Sequence, residues 1–124
     1  MDVSMSPFPY VGVSLGAALG LAATLSPRWV LSLVGLAPSS PEGLAEGRAT
    51  YGGLFVALEF GASYFWLSRG VSEAVILAGL CWLGAAAGRA LSLGVDGART
   101  PRNFGGLALE ILIGLLHLSI ICVN

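Results

Sequence analysis

Six side chains have the types and spacing that ion pairing, anion binding or proton transfer require: Arg48, Tyr51, Glu59, Arg89, Glu110 and His117. All lie in long apolar stretches, where an ionised group is tolerated only when it faces protein or water. Arg89 and Glu110 fall near the same end of two successive runs, at depths of about 6 and 7.5 Å by helical rise. Opposite charges at equal depth on neighbouring helices predict a direct pair, and the arginine fork suits a dry, bidentate contact with a carboxylate. Arg48 opens the preceding run at the same end, with Tyr51 one turn deeper, so one network of Arg48, Tyr51, Arg89 and Glu110 is expected. Glu59 and His117 lie twelve residues beyond Gly47 and Gly105, each roughly 18 Å deep and close to a bilayer midplane. Arg48 and Glu59 differ by only about 20° around an ideal helix axis, as do Glu110 and His117. Two polar stripes are therefore expected to meet at two levels, with the interior charges cancelling. The outer level reads as a structural ion pair or as a site for a headgroup, anion or small ligand. The midplane level reads as a proton or ligand site, or as a hydrogen-bonded interior histidine.

Other chemistry finds little support. A four-helix di-iron site needs Glu-x-x-His on two helices, and the chain has one histidine, which also rules out bis-histidine haem ligation within one chain. No nucleophile elbow, P-loop or dinucleotide fingerprint is present. All six cationic side chains are arginine, so lysine Schiff-base chemistry is excluded. No catalytic residue, metal site or cofactor is assigned. The formal charge of −1, without a basic cluster, gives no nucleic-acid signal. Cys81 and Cys122 lie in apolar runs and are expected to be buried, inert thiols.

The elements that must hold these residues follow from composition. The chain is 56% hydrophobic and 10% charged, too apolar to clothe a small globule in polar surface, so a lipid bilayer is the expected surrounding. Crossing it takes about 20 apolar residues per helix. The spacing predicts helices over roughly 9–25, 47–67, 71–93 and 105–123, forming one integral membrane domain over 1–124. Ser26-Pro27 ends the first, and the segment about 28–36, anchored by Trp29, is expected to lie at the membrane interface. The result is an all-α, four-transmembrane-helix antiparallel bundle with a short interfacial segment after the first helix.

Small residues spaced by four, or by eight in the last helix, mark faces for close helix approach: Gly12, Gly16 and Gly20; Gly53, Ala57 and Gly61; Gly84 and Gly88; Gly106 and Gly114. The acidic, proline-containing start, MDVSMSPFPY, argues for a retained first helix instead of a cleaved signal. Arg28, Arg48, Arg89, Arg99 and Arg102 fall at one face and only Arg69 at the other, which puts both termini outside the cytoplasm.

Ala49-Thr50-Tyr51-Gly52-Gly53-Leu54, Gly88-Arg89-Ala90-Leu91-Ser92 followed by Asp96-Gly97, and Leu109-Glu110 together carry a family likeness. In that order they resemble a family of short bacterial four-helix membrane proteins, a domain of unknown function that is DoxX-like in general look. The resemblance covers roughly Arg48 to Gly114 and implies a bacterial inner-membrane protein, with Arg48, Tyr51, Arg89 and Glu110 as matching positions. Glu59 and His117 fall outside its pattern. The leading expectation is a structural or accessory subunit, packing through its glycine faces against a second copy or a larger membrane complex. Its rival is a small transporter or ligand-binding bundle that uses the buried polar layer. The DoxX-like look alone implies a third reading, a membrane component of a quinone-linked redox system.

Overall fold

The computed structural model describes residues 6–123. Those residues form an all-helical structure with no strand. The reading of the chain's start falls partly on residues 1–5, outside those described. Helix α1 spans Phe8–Leu25 and ends where Ser26 leaves helical geometry at φ −133° and ψ 64°. Pro27 has no N–H to continue the ladder, but its fixed φ suits a first helical position, and α2 starts there as Pro27–Leu33. The break falls where the sequence placed it. A left-handed Gly35 closes α2, with Gly35 N and Leu36 N bonded back to Ser32 and Leu31. Trp29 is exposed, whereas Val30 and Leu31 pack inward.

The second long helix starts earlier than expected. Ser40 accepts a hydrogen bond from Gly43 N at 3.1 Å and Pro41 occupies the first turn, the side-chain cap that orphan amides require. From there α3 (Pro41–Gly47), a π segment (Arg48–Gly53) and α4 (Leu54–Arg69) run on without leaving helical backbone geometry. Gly70, at φ +69°, ends α4 with the left-handed residue such a turn demands. Helix α5 covers Glu73–Val95. Helix α6, Pro101–Leu118, begins four residues before its expected start because Thr100 caps Asn103 N at 3.2 Å and Pro101 follows as first residue. Its end tightens into a 3₁₀ turn, Ser119–Cys122.

The long helices close a ring: α1 packs on α4 and α6, and α5 packs on α4 and α6. The outside of this ring is apolar, with Leu25, Leu67, Leu77, Leu91 and Val95 all exposed, while Glu59 and His117 are completely buried. Three helices, Phe8–Leu25, Glu73–Val95 and Pro101–Cys122, are long and apolar enough to cross a membrane. Polar inside and apolar outside, these are the features of a membrane protein.

The glycines sort into two groups. Gly12, Gly16 and Gly20 are buried along α1 and face α6 and α4. Gly79 and Gly114 bring α5 and α6 into backbone contact: a carbon added to either would lie 3.1–3.2 Å from the other's carbonyl oxygen. Gly106 leaves room for the Arg89 guanidinium. By contrast Gly61, Gly84 and Gly88 have nothing within 4 Å of such a carbon, Gly53 meets only the Arg48 carbonyl, and Ala57 is exposed, so those two expected packing faces are corrected. Gly47 and Gly52 serve instead, against Leu31 and Thr24. Cys81 and Cys122 are also corrected, since both are exposed. An apolar neighbourhood in sequence does not imply the interior when the exterior is equally apolar.

Candidate functional site

The outer polar level centres on Arg89. Its Nε donates to Glu110 Oε2 at 2.9 Å and its Nη2 to Oε1 at 2.7 Å, a two-pronged contact between α5 and α6. The third arm, Nη1, donates to Asn103 Oδ1 at 2.8 Å. Asn103 is itself held by donating to the Ala98 carbonyl at 2.8 Å. The guanidinium is thus locked by two residues of α6 that lie seven apart, one above the other on the same helix face. Asn103 falls before the helix expected over 105–123, so the apolar pattern alone does not point to it. Once Thr100-Pro101 is recognised as a cap, the spacing of seven to Glu110 and seven more to His117 exposes one continuous stripe.

Tyr51 lies on the π segment and lines the same space as Arg89 without hydrogen-bonding the pair. Arg48 does not join this network. Its guanidinium donates to the Thr24 carbonyl at the end of α1, and its residue is exposed. The π segment supplies the reason: a π turn takes in an extra residue, so everything before it is rotated by about 100° from the ideal-helix position. The coincidence of Arg48 with Glu59 on one stripe holds only for an uninterrupted α-helix.

The deeper level is a closed triad. His117 Nε2 lies 2.8 Å from Glu59 Oε2, with both side chains fully buried. The indole N–H of Trp82 donates to the other oxygen, Oε1, at 2.7 Å. His117 Nδ1 lies 2.8 Å from the Ile113 carbonyl. A carbonyl only accepts, so Nδ1 carries a hydrogen. The Nε2–Oε2 contact then holds one proton, either on an imidazolium facing a carboxylate or on a carboxylic acid facing a neutral ring. Both arrangements have zero net charge, which is what a site without water can hold at least cost. Trp82 is the residue the sequence reading missed here; it lies seven before Arg89 on α5 and shares its face.

Helix α1 seals the triad with its glycines. A side-chain carbon at Gly16 would overlap the Glu59 carboxylate, and one at Gly12 would lie 2.9 Å from His117 Nδ1. Among the described residues no buried side-chain nitrogen or oxygen lacks a partner. No group of His, Cys, Asp and Glu among them could hold a metal ion.

A half-open cleft of about 650 Å³ runs from Trp82 past Arg89 and Glu110 to Ser92 and Arg102. Leu19, Val30, Leu54, Phe55 and Leu109 give it apolar walls, and Tyr51, Arg89, Arg102, Asn103 and Glu110 give it a polar side. Trp82 also lines it, against Phe55 at a ring separation of 4.6 Å. One indole thus touches the cleft and donates to the buried carboxylate.

A family model described as a domain of unknown function, DUF4345, matches residues 10–121, and the chain belongs to that family. No curated protein and no solved structure matches the chain.

Proposed function

We propose that this DUF4345 protein is a four-helix integral membrane protein that binds a small amphiphilic molecule in the cleft beside Arg89 and Glu110. The cleft carries the reading. Its volume of about 650 Å³ falls within the roughly 300–1,000 Å³ usual for small-molecule sites, and such sites pair apolar walls with a few fixed polar groups. The polar groups here are held in place before any ligand arrives, because Arg89 is clamped by both Glu110 and Asn103. The fourth crossing would be the π segment with α4, residues 48–69, added to the three helices that qualify by length and hydropathy. In this reading the protein sits in a bacterial inner membrane with its arginine-rich end in the cytoplasm and both termini outside.

The accessory-subunit reading gains less from the geometry. It relied on glycine faces available to a partner: Gly12, Gly16, Gly20, Gly79, Gly106 and Gly114 are filled from within the chain, and only the outward positions Gly53, Gly61, Gly84 and Gly88 stay open to one. A binding site without a transport path or a reaction is the simplest use of a cleft bounded by a sealed triad.

The test is to purify the protein in a mild non-ionic detergent and identify bound small molecules by mass spectrometry of the intact assembly. A parallel Ala85→Trp variant fills the cleft from an exposed lining position. The expected result is a defined molecule on the native protein that Ala85→Trp loses while keeping its melting temperature. Retention by Ala85→Trp, or only detergent and bulk lipid on the native protein, would overturn the reading.

A further inference from the structure

We infer that the molecule held in the cleft is a single-chain anionic amphiphile whose headgroup is read by Arg102, an inference that rests on the cleft-binding reading above. The lining residues carry two arginines and one glutamate. Arg89 has its charge paired by Glu110 and a third contact to Asn103. Arg102 has no carboxylate partner among the described residues, so the lined space carries one uncompensated positive charge. The Arg102 guanidinium reaches from the first turn of α6 across to the turn after α2, where a carbon added to Gly35 would lie 3.4 Å from it. Arg102 is an exposed residue that lines the cleft, with its stem and guanidinium both beside Gly35. Tyr51 and Ser92 line the same space without a hydrogen bond to any described side chain. A cation with two free hydroxyls at one end of an apolar trough complements a carboxylate or phosphate on one hydrocarbon body. It gives no counter-charge to a cationic headgroup.

A volume of about 650 Å³ suits one drug-sized molecule, which favours one chain over the two of a phospholipid. The shared chemistry is a monoanionic headgroup on a single apolar chain. An arginine contact with such an oxygen is charge-assisted and stronger than a neutral one.

The probe is bromine-labelled palmitic acid, added to purified protein in non-ionic detergent. Its bromine quenches Trp82 on the cleft wall, in a Trp29→Phe/Trp66→Phe background that leaves this indole as sole reporter. We expect saturable quenching, weakened about tenfold by Arg102→Gln, as loss of a charge-assisted hydrogen bond implies, and left unchanged by Arg69→Gln at the far end of α4. The bromine-labelled methyl ester should bind about tenfold more weakly than the acid for the same reason. Ester binding equal to the acid, or an Arg102→Gln protein indistinguishable from the parent, overturns the headgroup assignment while the cleft reading stands. Tighter displacement by phosphatidylglycerol overturns the single-chain assignment. If neither acid nor ester quenches saturably, the cleft reading itself falls and this inference with it.

Discussion

Replacing Glu59 by glutamine leaves both of its hydrogen bonds possible, because the amide oxygen can accept from Trp82 while the amide nitrogen donates to His117 Nε2. Glu59→Gln should therefore melt within a few degrees of the parent in detergent. Glu59→Leu leaves the indole N–H and the imidazole Nε2 without partners in a dry interior, at about 1–3 kcal/mol for each unmet group. A large drop in melting temperature is expected for that variant, and a Glu59→Gln protein equally unstable would show that the ionised pair is indispensable. The outer pair behaves differently because it opens on a cleft. Removing one member strands a charge, whereas removing both does not. Arg89→Leu and Glu110→Leu should each lower thermal stability more than the double variant does. A double variant showing the sum of the single losses would remove the coupling inferred from the two-pronged contact.

At the scale of elements, glycine position decides what a methyl group costs. Gly16→Ala forces a carbon into the Glu59 carboxylate, and overpacking of this kind costs about 1–3 kcal/mol. Gly84→Ala meets nothing within 4 Å and should be neutral or slightly stabilising, since alanine is the better helix residue. Comparing the two melting curves tests whether the α1 ladder is an internal seam. That ladder was legible in the sequence because glycine every fourth residue keeps to one face, and the triad lies under it. The outward-facing small residues Gly61, Gly84 and Gly88 bear the same spacing, and nothing in a wholly apolar stretch tells a seam from a lipid-facing surface. Cys81 and Cys122 were misplaced for the same reason. The starts at Ser40-Pro41 and Thr100-Pro101 fall before the expected 47 and 105, because an apolar-run criterion begins too late when first turns are polar. Arg48 was lost to the π segment: a helix with an inserted residue has the same composition as one without. Depth and charge sufficed to pair Arg89 with Glu110 and Glu59 with His117, since Glu59 follows that irregularity and the other three lie on α5 and α6, which have none. Asn103 and Trp82 carry no charge, and only their spacing of seven from Glu110 and Arg89 places them on the same helix faces.

For the whole molecule the open quantity is its orientation, and charge placement sets an expectation. The end holding the α1–α2 break, the α3 start and the α5–α6 turn carries Arg28, Arg48, Arg99 and Arg102, besides the paired Arg89. The opposite end, at the α4–α5 turn, carries Arg69. Discounting Arg89 because Glu110 holds it still leaves four arginines against one. The rule that sets membrane orientation counts basic residues in short connections and gives little weight to acidic ones, so Glu42, Glu46 and Asp96 do not reverse it. The arginine-rich end should face the cytoplasm. Because Cys81 and Cys122 are exposed, both must first be changed to serine. A single reporter is then placed as Ser39→Cys in the turn before α3, or as Ser68→Cys beside Arg69. Treating intact cells with a membrane-impermeant maleimide should label the Ser68→Cys protein and spare the Ser39→Cys protein until the cells are opened. Labelling in the reverse order would invert the molecule and put the mouth of the cleft on the outer face. Equal labelling of both in intact cells would mean that the arginine asymmetry does not set a single orientation.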